Sequence, residues 1–246
     1  PDGFSFAPVL DALTVVAPGS TVVIKSTLYP GTTEKIQAAY PDLFVLHSPE
    51  FLREAHAAHD AANPERNLIG IPTDESAYRT VAHIVLRVLP KAPYEAIIPA
   101  HEAELVKYAG NCFLYTKVVF MNLLYDLVQQ QQGDWSRVRD ALIRDPRIGA
   151  SHTEPVHTSG HVGNTQPGQR GAGGHCFIKD FAAFRQLVND TISTSEESDL
   201  LQAMVQYNNR LLRTTGKDLD LLRGVYGDSD QAPEPCATMY LCIELQ

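Results

Sequence analysis

The sequence predicts an α/β fold: a mostly parallel sheet over the first hundred residues, followed by a helical region built on one long helix. Three observations carry this reading. Short β-branched or apolar runs alternate with amphipathic stretches as far as Ile98, the pattern of strands joined by helical crossovers. Residues 101–132 then hold no proline and a single glycine, with apolar residues at helical spacing. Of 246 residues, 44% are hydrophobic and 20% charged, which is ordinary globular usage and enough chain to bury a core.

Taken in order, Phe6 to Val16 is an amphipathic stretch ended by a turn at Pro18-Gly19, and Thr21 to Lys25 is a β-branched buried strand. Pro30-Gly-Thr-Thr33 opens a helix over about 34–39, and Leu43 to Leu46 is a second strand. Ser48 is placed to cap a further helix, with Pro49 in its first turn and Glu50 at the positive end of its dipole. Asn67 to Ile71 reads as the third strand, Asp74 to Leu89 as an amphipathic helix and Ala96 to Ile98 as the fourth strand. The helix His101 to Gln132 would be about 48 Å long, more than a small domain needs, so it is expected to join two domains or pack on a partner. Trp135 to Ile143 is helical and stops at Asp145-Pro146; Arg147 to Gly174 has no period, and a loop of that length is usually functional. Helical spacing returns at Phe181 to Val188 and Asp199 to Leu222, and residues 226–246 form a tail of unassigned structure. The expected divisions are 1–100, 101–225 and 226–246.

The net charge of −9 has the wrong sign for wrapping a nucleic acid. No apolar stretch reaches the ~18 to 20 residues that cross a bilayer, and the start, Pro1-Asp-Gly-Phe, has no signal-peptide pattern. Cys112, Cys176, Cys236 and Cys242 fall at no CxxC spacing and read as reduced thiols, so a cytoplasmic location is expected.

Several residues invite a chemical reading. Cys176 stands in Gly171-Ala-Gly-Gly-His-Cys-Phe-Ile-Lys-Asp180, where a glycine loop meets a helix start with Lys179 nearby. That setting lowers a thiol pKa and favours a nucleophile, although a small buried hydrophobe fits the local context equally well; Cys112, inside the long apolar helix, reads as core. Gly168, Gly171, Gly173 and Gly174 do not space as GxGxxG and follow no strand, so a substrate-wrapping loop suits them better. Glu50 and Glu54 lie four apart, expected on one helix face, for acid/base work or a ribose contact, or as a solvated face. Lys107 and Asn111 share a face of the long helix in apolar surroundings. His152, His157, His161 and His175 match no zinc spacing and read as loop histidines, so no metal is expected.

Five segments, in order, resemble the nucleotide-sugar 6-dehydrogenases, the UDP-glucose and GDP-mannose dehydrogenase family. They are Lys25-Ser-Thr27 with Pro30-Gly-Thr-Thr33, Ser48-Pro-Glu-Phe-Leu-Arg-Glu54, Ala103-Glu-Leu-Val-Lys107 with Asn111, Asp145-Pro-Arg-Ile-Gly149, and Gly173 to Asp180. The resemblance implies a partial Rossmann-like domain and a helical central domain. It also implies NAD-dependent oxidation of a sugar C6 alcohol to the carboxylate through a cysteine thiohemiacetal and thioester, a step of polysaccharide biosynthesis. By resemblance Cys176 is the nucleophile, Lys107 and Asn111 hold the C6 oxyanion, and Glu50, Thr27 and Asp180 position water. Glu54, Lys179 and Thr27 face the cofactor. Phe51, Leu52, Gly171, Gly173 and Gly174, with Lys107 and Asn111, contact the sugar nucleotide, and Arg147 reaches the substrate of a neighbouring subunit in a homodimer built on the 101–132 helix.

Ser48 to Glu54 and Lys179-Asp180 point to UDP-glucose, while Gly-Gly-His-Cys is similar to the branch acting on UDP-N-acetylhexosamines; GDP-mannose is a further alternative. No segment resembles the family's opening GxGxxG half or its closing nucleotide domain. The chain is therefore expected to be a fragment that binds NAD weakly by itself. A non-catalytic dimerisation remnant or interaction module is the rival reading.

Overall fold

A computed structural model describes residues 6–53, 56–158, 167–192 and 194–227. They fall into two compact units, divided between Ala109 and Gly110. In the first unit the elements run α1 (Ala7–Leu13), β1 (Thr21–Ile24), α2 (Thr32–Ala39), β2 (Phe44–His47), α3 (Ala57–Ala62), β3 (Arg66–Ile71), α4 (Ser76–Val88) and β4 (Tyr94–Pro99). The helix α5 (Ala100–Gln130) contains the division, and α6 (Trp135–Leu142), α7 (Gly174–Thr191), α8 (Ser195–Thr215) and α9 (Leu219–Tyr226) complete the second unit.

The four strands form one sheet in the order β1-β2-β3-β4. Pairing is parallel from Thr21↔Phe44 to Ile24↔His47 and from Arg66↔Tyr94 to Ile71↔Pro99, whereas β2 and β3 run antiparallel and meet at the single pair His47↔Gly70. The reversal follows from the connection, because among the described residues of 48–65 the only α-helix is the six-residue α3 and antiparallel neighbours need no full crossover. One apolar cluster, including Leu13, Ile24, Ile36 and Val45, lies with α1, α2, β1 and β2. Another, including Leu46, Ile69, Ile71, Ala82 and Leu86, lies with α4, β2 and β3.

The helix expected at Ser48-Pro49 does not form. The Ser48 N–H donates to the Ile24 carbonyl at 2.9 Å, so the chain continues the strand ladder where a helix cap was expected, and Pro49 is buried. Residues 51–53 are irregular, and α3 begins at Ala57 with no buried residue. Glu50 is consequently on a loop, and the helix face it was to share with Glu54 is not there; Glu54 lies outside the described residues.

In the second unit the core gathers Tyr115, Val118, Ile178, Phe181, Val205, Leu212 and Leu222, with the Tyr115 and Phe181 rings stacked at 3.9 Å. Met121, Val128 and Trp135 make a smaller cluster beneath α6. The helix α7 starts seven residues before Phe181, and the stretch expected as one helix over 199–222 is two, broken at Gly216 in the left-handed region (φ +67°). Among the described residues no helix is long and apolar enough to cross a membrane, and no three His, Cys, Asp or Glu side chains gather as a metal site.

Candidate functional site

In the first unit the loop after β2 carries the chemistry. Glu50 pairs with Lys25 at 2.9 Å and accepts the Phe51 N–H at 3.0 Å. From α5, the Lys107 ammonium donates to the Glu50 carbonyl at 2.6 Å, which fixes the backbone of that loop. The Phe51 ring lies under the Arg66 guanidinium at 3.8 Å, and Arg53 is held bidentately by Asp60 at 2.9 and 2.6 Å. Lys25, Glu50, Phe51, Leu52, His59 and Arg66 are among the residues around a cavity of about 480 Å³. Thr27 is half-buried in the loop between β1 and α2.

Glu104 was not singled out by sequence reasoning. Fully buried on the first turns of α5, it accepts hydrogen bonds from the Gly31 N–H (2.6 Å), the Thr33 N–H (2.9 Å) and the Thr33 hydroxyl (2.6 Å). These are the donors of the α2 N-terminus, which a side chain from 71 residues away caps. Burial pushes the Glu104 carboxyl up from its ordinary value, partly offset by those bonds. A helix N-terminus after a parallel strand is the usual seat of a dinucleotide pyrophosphate. Here it is filled by a carboxylate, so the described residues do not fit a pyrophosphate at that place.

In the second unit Cys176 is exposed on the first turn of α7, with its thiol in no disulfide. One turn later the buried Asp180 accepts the Asn111 side-chain N–H at 2.5 Å, and the Cys112 thiol faces the Asp180 carbonyl at 3.7 Å. Burial pushes the Cys112 thiol far above its ordinary value, which makes it inert as a nucleophile, in keeping with its core position. Lys179 is exposed. Arg147 is exposed on a turn closed at Gly149 (φ +65°), with its guanidinium on Asp145 at 2.5 to 3.1 Å; Lys117 fixes that turn by donating to the Ile148 and Gly149 carbonyls at 2.8 and 3.2 Å.

The segment before Cys176 is fastened at several points. Asn208 exchanges two hydrogen bonds with Ala172, at 2.7 and 3.0 Å, while Lys217 donates to the Gly171 carbonyl at 2.8 Å. Asp218 accepts the Gly174 N–H at 2.7 Å. Lys217 is fully buried, and its ammonium is pushed down to about 8 by burial; the neighbouring His157, 3.2 Å away, is lowered to about 4 by burial and by the Lys217 charge. Sequence reasoning missed Lys217 and Asp218, which looked like the middle of a single helix. Gly216 was the available signal of a helix end. Of the expected loop histidines, His161 lies outside the described residues, as do Cys236 and Cys242.

Residues 8–87 match the model of the UDP-glucose/GDP-mannose dehydrogenase family NAD binding domain, and residues 101–210 match its central domain. The chain belongs to the UDP-glucose/GDP-mannose dehydrogenase family. NAD is the cofactor of that family's matched domain. The chain is 33% identical over 214 residues to the UDP-glucose 6-dehydrogenase AglM of Haloferax volcanii, an alignment covering 82% of this chain and 45% of that one. It is 29% identical over 198 residues to the UDP-glucose 6-dehydrogenase TuaD of Bacillus subtilis, covering 77% and 38%. A solved UDP-glucose dehydrogenase from Pyrobaculum islandicum superposes with a TM-score of 0.64 at 31% identity, covering 79% of this chain and 43% of that one. A UDP-D-ManNAc dehydrogenase from Pyrococcus horikoshii, at 21% identity and a TM-score of 0.67 over 85% of this chain and 47% of that one, shares the fold. The chain thus spans about two fifths of the length of the curated relatives it matches.

Proposed function

We propose that this chain carries the covalent-catalysis part of a nucleotide-sugar 6-dehydrogenase, with UDP-glucose as the substrate and UDP-glucuronate as the product. The observation that carries the reading is the start of α7, where an exposed Cys176 stands one turn before a buried Asp180 fixed by Asn111. A thiol in the first turn sees the positive end of the helix dipole, which favours the thiolate.

The C6 alcohol first loses a hydride and a proton to give the aldehyde, and Cys176 adds to that carbonyl carbon, forming the C–S bond of a thiohemiacetal. Loss of the C6 hydride leaves a thioester, and water adding to its carbonyl expels the thiolate and releases the carboxylate. NAD, when bound, accepts hydride. In the second unit Asn111 is a donor for the C6 oxyanion, and Asp180, already held by Asn111, is a base for the hydrolytic water. In the first unit Lys107 is the cationic donor, Glu50 and Thr27 orient water, and Phe51 and Leu52 line the cavity side that takes the sugar nucleotide. Gly171, Gly173 and Gly174 offer backbone to the substrate, and Glu54, Lys179 and Thr27 take the cofactor side. The decisive assay is acid formation from UDP-glucose and NAD by the full-length gene product, run beside GDP-mannose and a UDP-N-acetylhexosamine. Cys176→Ser should abolish acid formation, and a wild-type rate in that variant would refute the role; faster turnover of another sugar would replace UDP-glucose.

We also propose a homodimer along α5. Phe113, Phe120, Leu123 and Leu127 are 53 to 69% exposed and recur at intervals of seven, three and four residues, a stripe that a second copy would cover. Arg147 would then leave Asp145 for the neighbouring subunit's substrate. Light scattering should give twice the monomer mass, and a monomer at high micromolar concentration would refute the interface.

A further inference from the structure

We infer that Asp218 is a positioning residue for Cys176, acting as the N-terminal cap of a helix to which it does not belong. The inference rests on the reading of Cys176 as the nucleophile. The N-cap position of α7 is Gly173, which has no side chain to satisfy the first N–H groups. Asp218 supplies the missing acceptor through Oδ2, 2.7 Å from the Gly174 nitrogen. It does so at a local sacrifice. Asp218 is the N-cap residue of α9, the position where an aspartate ordinarily binds its own helix, yet its side chain makes no cap bond there and its backbone sits in the left-handed region (φ +51°).

The neighbouring residues make this contact rigid. Lys217, fully buried, ties the Gly171 carbonyl, and Asn208 holds Ala172 on both its N–H and its carbonyl. A Cβ at Gly173 would overlap Asp218 Oδ2 and lie 3.0 Å from Lys217 Cε, so glycine at 173 is what lets the carboxylate reach the helix end. Gly171 and Gly174 take φ of +95° and +83°, conformations that hold the strap in its approach to α7. Gly171, Ala172 and Gly174 are therefore fixed from α8 and the α8–α9 junction, up to two residues short of the thiol.

The carboxylate has two separable effects on Cys176. It orders the turn whose N–H groups stabilise a thiolate, and it adds a negative charge to the helix end, which opposes one. Asp218→Asn keeps an acceptor and removes the charge, whereas Asp218→Ala removes both. The experiment measures iodoacetamide alkylation of Cys176 against pH by peptide mass spectrometry in the 246-residue chain, together with hydrogen exchange at the Gly174 amide.

Positioning requires that Asp218→Ala slow alkylation near neutral pH by about fivefold or more, raise the midpoint of the profile and deprotect Gly174, while Asp218→Asn alkylates as fast as wild type or faster with Gly174 still protected. Gly173→Ala, whose Cβ would force the carboxylate away and crowd Lys217 Cε, should reproduce the alanine phenotype should Asp218→Ala fail to fold. Equal profiles for the asparagine and alanine variants, or unchanged profiles in folded variants, would overturn the proposal. A wild-type Cys176 with the midpoint of an ordinary exposed thiol would instead overturn the nucleophile reading, and Gly174 protection would still decide the role of Asp218.

Discussion

Replacing Glu104 by alanine should be among the most damaging single changes in the first unit. The side chain accepts three hydrogen bonds at 2.6 to 2.9 Å, and all three donors belong to the α2 N-terminus, where Thr33 is fully buried. A hydrogen bond to a charged group is worth about 1.5–3 kcal/mol net, and a stranded buried donor costs about 1–3 kcal/mol. The desolvation that raises the Glu104 carboxyl works against these gains, so a net loss of about 3 kcal/mol is expected, or roughly 10 °C or more in the melting of a unit this size. Glu104→Gln should fall between, because its amide keeps one acceptor for Thr33 but points a second donor at the Gly31 N–H. The pH dependence has a definite sign. A carboxyl whose folded pKa lies above its unfolded value binds more protons in the folded state, so its share of stability declines as pH rises from the ordinary carboxylate value through the folded one. Glu104→Gln should lose that decline. Circular-dichroism melts and exchange at the Gly31 and Thr33 amides measure both effects, and an alanine variant within about 0.5 kcal/mol of wild type would refute the capping account.

Acid should destabilise the chain through its buried imidazoles. His47, fully buried, and His157 are both lowered to about 4 by burial from 6.5, so the unfolded state binds the extra protons and stability falls as pH drops from 6.5 toward 4, by up to about 3 kcal/mol for His47; His47→Phe should flatten that loss in acid titrations of melting temperature. Alkylation of the native chain should label Cys176 and spare Cys112, whose thiol is buried and pushed far up; equal labelling in the folded state would contradict the core placement of Cys112. Gly70→Ala should cost about 1–3 kcal/mol in denaturant titrations, since its Cβ would meet the Ala100 Cα at 2.8 Å and the Ala103 Cβ at 3.0 Å; a neutral result would mean that β3 and α5 can part without penalty.

The strands and the long helix were legible because their signals are local. Thr21 to Ile24 and Asn67 to Ile71 are β-branched or apolar runs between breakers, and 101–132 has no proline and one glycine. Ser48-Pro49-Glu50 misled because cap chemistry is ambiguous: the same serine can end a strand ladder, and the bond that decides it goes to Ile24. Cys176, Asn111 and Asp180 were found by motif, and the structure joins the latter two. Glu104, Lys217 and Asp218 escaped because their roles lie in partners distant along the chain, 44 residues away for the bond between Asp218 and Gly174. Nothing in the residues flanking Glu104 says that Gly31 and Thr33 will meet it.

The single pairing His47↔Gly70 divides the sheet of the first unit into two parallel ribbons, one with an apolar cluster of its own and the other with a cluster that Leu46 of β2 shares with Ile69 and Ile71 of β3. The chain that the seam closes, from His47 to Gly70, is no longer than the stretches closed within the ribbons, from Thr21 to Phe44 and from Arg66 to Tyr94, so what sets the seam apart is its single ladder pair and not its closure entropy. With one ladder pair against four and six in the ribbons, the seam should be the first of the sheet's pairings to open in the native ensemble. Because the Glu50 loop leaves the sheet immediately after His47, opening of that seam would free the β3 side of the loop while Lys25 and Lys107 still hold Glu50. Native-state exchange that is fast at the seam amides and slow within the ribbons would mark it as a cleavage plane between two cooperative units.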